Sequence, residues 1–253
     1  MLLAIDVGNT NTVLGLFDNE TLIHSWRITT DSRTTADELA LKFEGLLADR
    51  PKIDGIAVCS TVPAVLRELR TMLNRYYPDV RHVFVEPGTK TGVPILTDNP
   101  KEVGADRIVN TLAAFELYGG PAIVVDFGTS TNLDVVSAKG EFLGGALAPG
   151  VEISIDALAS RAAQLRKVEL TRPKHVIGKN TVEALQSGAI YGFAGQVDGL
   201  VERIQDELGG QVTAVIATGG LAGIVVPESR TITDHDPDLT LHGLRLVYAR
   251  NQE

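Results

Sequence analysis

Apolar positions fall into short runs whose period changes several times along the chain. Residues 2–7 form a continuous apolar run that stops at Gly8-Asn9-Thr10, the signature of a buried strand and a turn. Two more strands are predicted over 12–17 and 22–28, separated by the turn formers Asp18-Asn19-Glu20. Over 35–49 the period becomes helical, with Leu39, Phe43, Leu46 and Leu47 on one face. A buried strand follows over 53–59. Val62, Leu66, Leu69, Leu73 and Tyr76 then mark a second amphipathic helix. A strand over 82–85, a long connection over 88–100 and a helix over 104–118 complete this half.

The same series then recurs. An apolar strand over 122–125 ends in Asp126-Phe127-Gly128-Thr129. Strands are predicted over 133–136 and 142–148, helices over 151–164 and 181–208, and a strand over 212–217 closed by Thr218-Gly219-Gly220. A short helix over 244–250 ends the series. Asp6 and Asp126 stand 120 residues apart, near half the chain, so the repeat is a duplicated domain and not a solenoid. The expected boundary lies near Gly119-Gly120, giving halves of 1–118 and 119–253. They are expected to pack as one body with a ligand cleft between them.

Composition narrows the function classes. The 253 residues are 44% hydrophobic and 22% charged, a globular balance. The formal net charge of -9 disfavours binding to a phosphate backbone, so no nucleic-acid partner is expected. The single cysteine, Cys59, lies in the apolar run Ile56-Ala57-Val58 and is expected to be a small core residue, not a nucleophile. There is no basic leader and no apolar stretch near 20 residues, so the expectation is a soluble, cytoplasmic protein with no membrane partner.

Two segments carry candidate chemistry. Asp6-Val7-Gly8-Asn9-Thr10-Asn11 and Asp126-Phe127-Gly128-Thr129-Ser130-Thr131-Asn132 share the form Asp-x-Gly-x-Thr/Ser at a strand end. Glycine lets the backbone approach a phosphate closely, and the hydroxyl and amide side chains add donors beside backbone N–H groups. The aspartate cannot bind phosphate itself but can hold a cation, or its water, that bridges to phosphate oxygens. A single copy of the pattern is ordinary turn chemistry; two copies at equivalent points of a repeat are not. A third segment, Ile216-Ala217-Thr218-Gly219-Gly220-Leu221-Ala222, is a strand and a double glycine opening a helix. It suits a base or ribose lying on backbone, or simply connects strand to helix.

Together these segments resemble the superfamily of acetate and sugar kinases, heat-shock chaperones and actin. The resemblance implies an α/β fold of duplicated ribonuclease H-like (actin-like ATPase) domains, each a mixed five-stranded sheet flanked by helices, with ATP in the interdomain cleft.

Asn99-Pro100-Lys101-Glu102-Val103-Gly104-Ala105-Asp106-Arg107 narrows the resemblance to type III pantothenate kinases. Gly144-Gly145-x-x-x-Pro149-Gly150, Gly178-x-Asn180-Thr181 and Ser187-Gly188 support it. That family transfers the γ-phosphoryl group of ATP to the primary alcohol of pantothenate, the first step of coenzyme A synthesis. The resemblance implies that Asp106 is the proton acceptor and that Gly104, Ala105, Asp106 and Arg107 bind pantothenate, with Thr181 a further substrate contact. It implies that Asp6, Val7, Gly8, Asn9, Thr10, Asn11, Thr12 and Val13, with Thr129, bind ATP. Asp126 matches the ligand of a monovalent cation, potassium or ammonium, while Mg²⁺ arrives with ATP. A homodimer is also implied.

The residues alone allow plainer roles. Asp106 also suits the first turn of a helix, where an acid complements the macrodipole, and Thr181 suits a helix N-cap. One departure from the family pattern is Thr97, which stands where a tyrosine often contacts substrate. There is no P-loop, dinucleotide fingerprint or His-Glu-x-x-His helix. The run 234–238 is expected to be an exposed acidic loop. Two alternatives remain at this level: a related kinase acting on another small acid or sugar, and a nucleotide-gated binding or regulatory module.

Overall fold

The computed structural model describes residues 1–48, 50–161 and 168–252. The chain divides into two compact units, one of Met1–Val93, Asn99–Ala113 and Thr240–Glu253, the other of Pro94–Asp98 and Ala114–Leu239.

The first unit is built on a five-stranded sheet. Strands β1 (Leu2–Val7), β2 (Asn11–Asp18) and β3 (Thr21–Thr29) form an antiparallel meander, and β4 (Gly55–Ser60) and β5 (Arg81–Phe84) extend it in parallel from β1. The order is β3-β2-β1-β4-β5. The parallel strands β1 and β4 are almost wholly apolar, as strands covered on both faces must be. Helix α1 (Ala36–Leu47) starts at Thr35, whose hydroxyl accepts from the Glu38 amide while the Glu38 carboxylate accepts from the Thr35 amide, a complete capping box. Helix α2 (Pro63–Tyr76) has proline in its first turn, where no amide hydrogen is needed. Both helices bury apolar stripes, Leu39 and Phe43 with Leu69, Met72 and Leu73, against Leu3, Ile5, Leu14 and Ile56 of the sheet.

A 3₁₀ turn at Pro100–Glu102 leads to α3 (Ala105–Tyr118). The second unit repeats the plan. Strands β6 (Ala122–Phe127), β7 (Ser130–Val136) and β8 (Phe142–Pro149) are antiparallel neighbours. Strands β9 (Ala214–Thr218) and β10 (Asp234–His235) are parallel additions on the other side of β6, and the order is β10-β9-β6-β7-β8. Helices α4 (Val151–Arg161), α5 (Thr181–Leu208) and the short α6 (Ala222–Val225) belong to this unit, and they share a core with Ile123, Val125, Phe127 and Leu133. The last residues predicted for the helix after β8, 162–164, lie outside the described residues, as does Asp49 at the end of the predicted 35–49 helix.

Two expectations are corrected. Residues 234–238 are not merely a loop: Asp234 and His235 pair with Ile216 and Ala217 and make the fifth strand. The terminal helix, α7 (Leu239–Arg250), starts five residues earlier than the period suggested. Its opening is prepared by Asp236, whose carboxylate accepts from the Asp238 amide at 3.0 Å. The helix packs on the first unit, where His242 meets Phe17 edge-on at a 5.6 Å centroid distance. Among the described residues no helix is long and apolar enough to cross a membrane.

Candidate functional site

Asp6 is the penultimate residue of β1. Its register partner on parallel β4 is Cys59, and the Cys59 thiol donates to Asp6 Oδ1 at 3.2 Å. Cys59 is 1% exposed, and burial pushes its thiol well above its ordinary value. It is therefore a core residue, as expected, and an additional donor to the carboxylate. Burial also raises Asp6, to about 6, and the nearby charge of Asp106 adds to this; the Cys59 hydrogen bond and Arg27 pull the other way.

Asp106 is the second residue of α3. The helix opens on the Gly104 carbonyl, which accepts from the amides of Arg107 and Ile108. Asp106 Oδ1 folds back to accept from the Arg107 amide at 2.9 Å. This places Oδ1 only 2.5 Å from where a Cβ on Gly104 would stand, so the observed carboxylate position depends on glycine there. Desolvation raises the carboxyl of Asp106 above its ordinary value, against the lowering effect of the Arg107 amide and guanidinium. Asp106 is thus both a first-turn helix acid and a carboxylate brought beside Asp6 from a hundred residues away.

The first hairpin turns through residues 8–10. The Gly8 amide donates to the Asn11 carbonyl at 3.0 Å, and Asn9 and Thr10 are exposed at the tip. Val7 is buried in the core, and Thr12 is 4% exposed with its hydroxyl paired to that of Thr30 at 2.9 Å. Val13 is partly buried. The open side chains of this segment are therefore Asn9 and Thr10.

In the second unit the tip of the hairpin is Gly128 and Thr129, both exposed. The Gly128 amide donates to the Ser130 carbonyl at 3.0 Å, and the Thr129 carbonyl accepts from the Gly150 amide at 3.1 Å. The Pro149-Gly150 motif is thus the seat of the hairpin tip. Gly219, at φ 92°, passes so close to Asp126 that a Cβ there would lie 2.5 Å from Asp126 Oδ1. The third sequence motif therefore belongs to the surroundings of Asp126. Thr97 lies beside Gly144, its methyl 3.8 Å from a Cβ on that glycine, and its hydroxyl oxygen is buried without a hydrogen-bond partner.

Thr181 is exposed at the first position of α5, and the N-cap is Asn180, whose Oδ1 accepts from the Glu183 amide at 2.9 Å. The capping role expected for Thr181 is corrected: an amide oxygen one residue earlier reaches the donor, which leaves the Thr181 side chain outside the cap. Ser187, from the same run of motifs, donates to the Val176 carbonyl at 2.6 Å and ties the preceding loop to the helix. Sequence patterns had not indicated the Cys59–Asp6 hydrogen bond or the influence of the Asp106 charge on Asp6, because both depend on strand and helix placement.

Both units repeat one strand order around a carboxylate at the end of the first strand, and comparison with solved structures shows the same architecture. An inorganic polyphosphate/ATP-glucomannokinase from Arthrobacter sp. strain KM superposes with a TM-score of 0.54 at 14% identity over 99% of each chain. A ROK family glucokinase from Streptomyces griseus, in complex with glucose and AMPPNP, gives 0.54 at 11% identity over 99% of each chain. The fold is the duplicated ribonuclease H-like fold of the actin-like ATPases and sugar kinases.

Sequence comparison is narrower. The profile described as type III pantothenate kinase matches residues 2–203. A type III pantothenate kinase of Salinispora arenicola is 68% identical over 99% of this chain and 100% of its own, and one of Frankia alni is 70% identical over the same shares. The chain belongs to the type III pantothenate kinase family.

Proposed function

We propose that this chain transfers the γ-phosphoryl group of ATP to the primary alcohol of pantothenate, giving 4′-phosphopantothenate and ADP at the entry to coenzyme A synthesis. The observation that carries the reading is the Asp106 carboxylate, fixed over Gly104 at the start of α3 with its proton affinity raised by desolvation. An alcohol is a weak nucleophile, and a carboxylate of raised pKa accepts its proton more readily as the new P–O bond forms. The bond from the γ-phosphorus to the bridging oxygen breaks, and ADP leaves with its electron pair.

The rest of the site positions and neutralises charge, which is what phosphoryl transfer chiefly requires. The first hairpin, 6–13, through its exposed tip at Asn9 and Thr10, and Thr129 of the second hairpin hold phosphate oxygens. Gly104, Ala105, Arg107 and Thr181 hold pantothenate, with Arg107 facing its carboxylate. Mg²⁺ bound to ATP supplies neutralisation of the β- and γ-phosphates. Asp126 holds a monovalent cation, potassium or ammonium. The active protein is a homodimer in the cytoplasm.

Incubating the purified protein with ATP, Mg²⁺, K⁺ and pantothenate, and identifying products by mass spectrometry, tests the reading. The expected product is phosphopantothenate in equal amount to ADP. ADP formed equally without pantothenate, or phosphorylation of a different acid or sugar in its place, would overturn it.

A further inference from the structure

Strand register surrounds the two equivalent aspartates with different neighbours. Asp6 sits between Val13 of β2 and Cys59 of β4. Asp126 sits between Asn132 of β7 and Thr218 of β9. Residues directly opposite one another across a ladder project from the same face, with Cβ atoms about 4.5–5.5 Å apart. One carboxylate thus has an aliphatic group and a thiol beside it, and the other has an amide and a hydroxyl.

Asn132 is 9% exposed, and its Oδ1 is buried without a hydrogen-bond partner. An unsatisfied buried acceptor is costly, and a folded chain keeps one where strain, a role in the chemistry, or a water or ion accounts for it. Gly219 packs against the same row: at its φ of 92° a Cβ would lie 2.5 Å from Asp126 Oδ1 and 2.7 Å from the Phe127 backbone, so only backbone approaches the carboxylate from that side. Among the described residues no three His, Cys, Asp or Glu side chains cluster as a metal site, so any cation here draws on other oxygens. A carboxylate, an amide oxygen and a hydroxyl are hard oxygen donors with a single formal charge. That set suits a large monovalent ion, whereas Mg²⁺ demands near-ideal octahedral geometry and keeps several of its waters.

We propose that Asn132 Oδ1 is a second protein ligand of the monovalent cation, completing with Asp126 a seat that the first unit, with Val13 and Cys59 in the equivalent row, does not possess. The inference rests on the assignment of the cation to Asp126, and the experiment separates the two. Rb⁺ serves as the K⁺ probe in equilibrium dialysis against the purified protein with Mg²⁺ and ADP, at constant ionic strength made up with choline chloride. The intact protein should take up Rb⁺ saturably, and Asp126→Asn should abolish uptake. Asn132→Leu, close in volume but without the oxygen, should weaken Rb⁺ binding about tenfold or more, whereas Asn132→Asp should retain it. In parallel, the rise in melting temperature on replacing choline by K⁺ should vanish in Asn132→Leu. If that variant does not melt cooperatively, Asn132→Ala takes its place. Undiminished Rb⁺ binding in the Asn132 variants, with loss in Asp126→Asn, overturns the role of Asn132 and leaves the cation at Asp126. No saturable uptake by the intact protein overturns both.

Discussion

The thiol of Cys59 donates to Oδ1 of Asp6 across the β1–β4 ladder at 3.2 Å, so the chain's one cysteine is tied to the carboxylate of the first Asp-x-Gly hairpin. Burial keeps that thiol protonated well above its ordinary range. In native protein at pH 8, a disulfide-exchange reagent should find no reactive thiol over a time in which the denatured chain releases one full equivalent. Prompt reaction of the folded protein would contradict the buried placement.

The same hydrogen bond lowers Asp6, which burial otherwise raises. Cys59→Val removes the donor, so Asp6 should titrate at higher pH and the acid limb of the kcat/KM profile should move with it. Cys59→Ser keeps a donor and should leave that limb near its original position. Identical limbs in all three proteins would show that the thiol does not tune Asp6.

Asp6 has a folded-state pKa of about 6 against an ordinary 3.8. Between these values the native state binds more protons than the unfolded chain, so stability falls as pH rises from about 4 to 6 and then levels off. Asp6→Asn removes the charge and should lose this slope. Discounting the shift for partial exposure, the variant should be more stable by about 2 kcal/mol at pH 7, while phosphoryl transfer is severely reduced. Denaturant melts at pH 4, 5 and 7 check the sign. A destabilised variant at pH 7 would refute it.

Gly104→Ala would set a methyl 2.5 Å from Asp106 Oδ1. The carboxylate must then swing away, and kcat should fall about a hundredfold, the lower range for a misplaced general base. Melting temperature should change little, because the group displaced is a side-chain end and not backbone. Unchanged kcat would mean that the observed Asp106 rotamer is not the working one.

Away from the site, Asp198 of α5 is 2% exposed and accepts from the Ser229 hydroxyl, the amides of Arg230 and Thr231, and the Thr231 hydroxyl. Burial alone would raise its carboxyl, and these donors outweigh burial and hold it below the usual range. Asp198→Ala strands several buried donors and should cost about 3 kcal/mol in denaturant unfolding, with KM values nearly unchanged. A cost under about 1 kcal/mol would show that the loop re-forms its bonds elsewhere.

The duplicated architecture was legible because each strand–hairpin–strand series carries its own apolar run and its own Asp-x-Gly turn. What escaped the sequence was pairing. Two residues, Asp234 and His235, cannot display a strand period, and only Ile216 and Ala217 beside them make them a strand. The start of α7 was hidden because Asp236-Pro237-Asp238 reads as a turn, and it is one, with the Asp236 carboxylate accepting from the Asp238 amide immediately before the helix begins. At α5, two adjacent polar residues both suited the cap, and local backbone geometry selected Asn180 over Thr181. The aspartate hairpins and Asp106 were readable as motifs. Their inequivalence, with Cys59 beside one aspartate and Asn132 beside the other, is a property of register that no local pattern records.

The proposed role of Asp106 is to accept the proton of the pantothenate alcohol during phosphoryl transfer. Steady-state rates of pantothenate-dependent ADP release by Asp106→Asn, beside the unaltered protein, test it most directly. With Asp106 as the proton acceptor, kcat should be lower by about 10²–10⁴-fold, with a pantothenate KM of similar size and an unchanged melting curve. A correctly folded Asp106→Asn with kcat near that of the unaltered protein would contradict it.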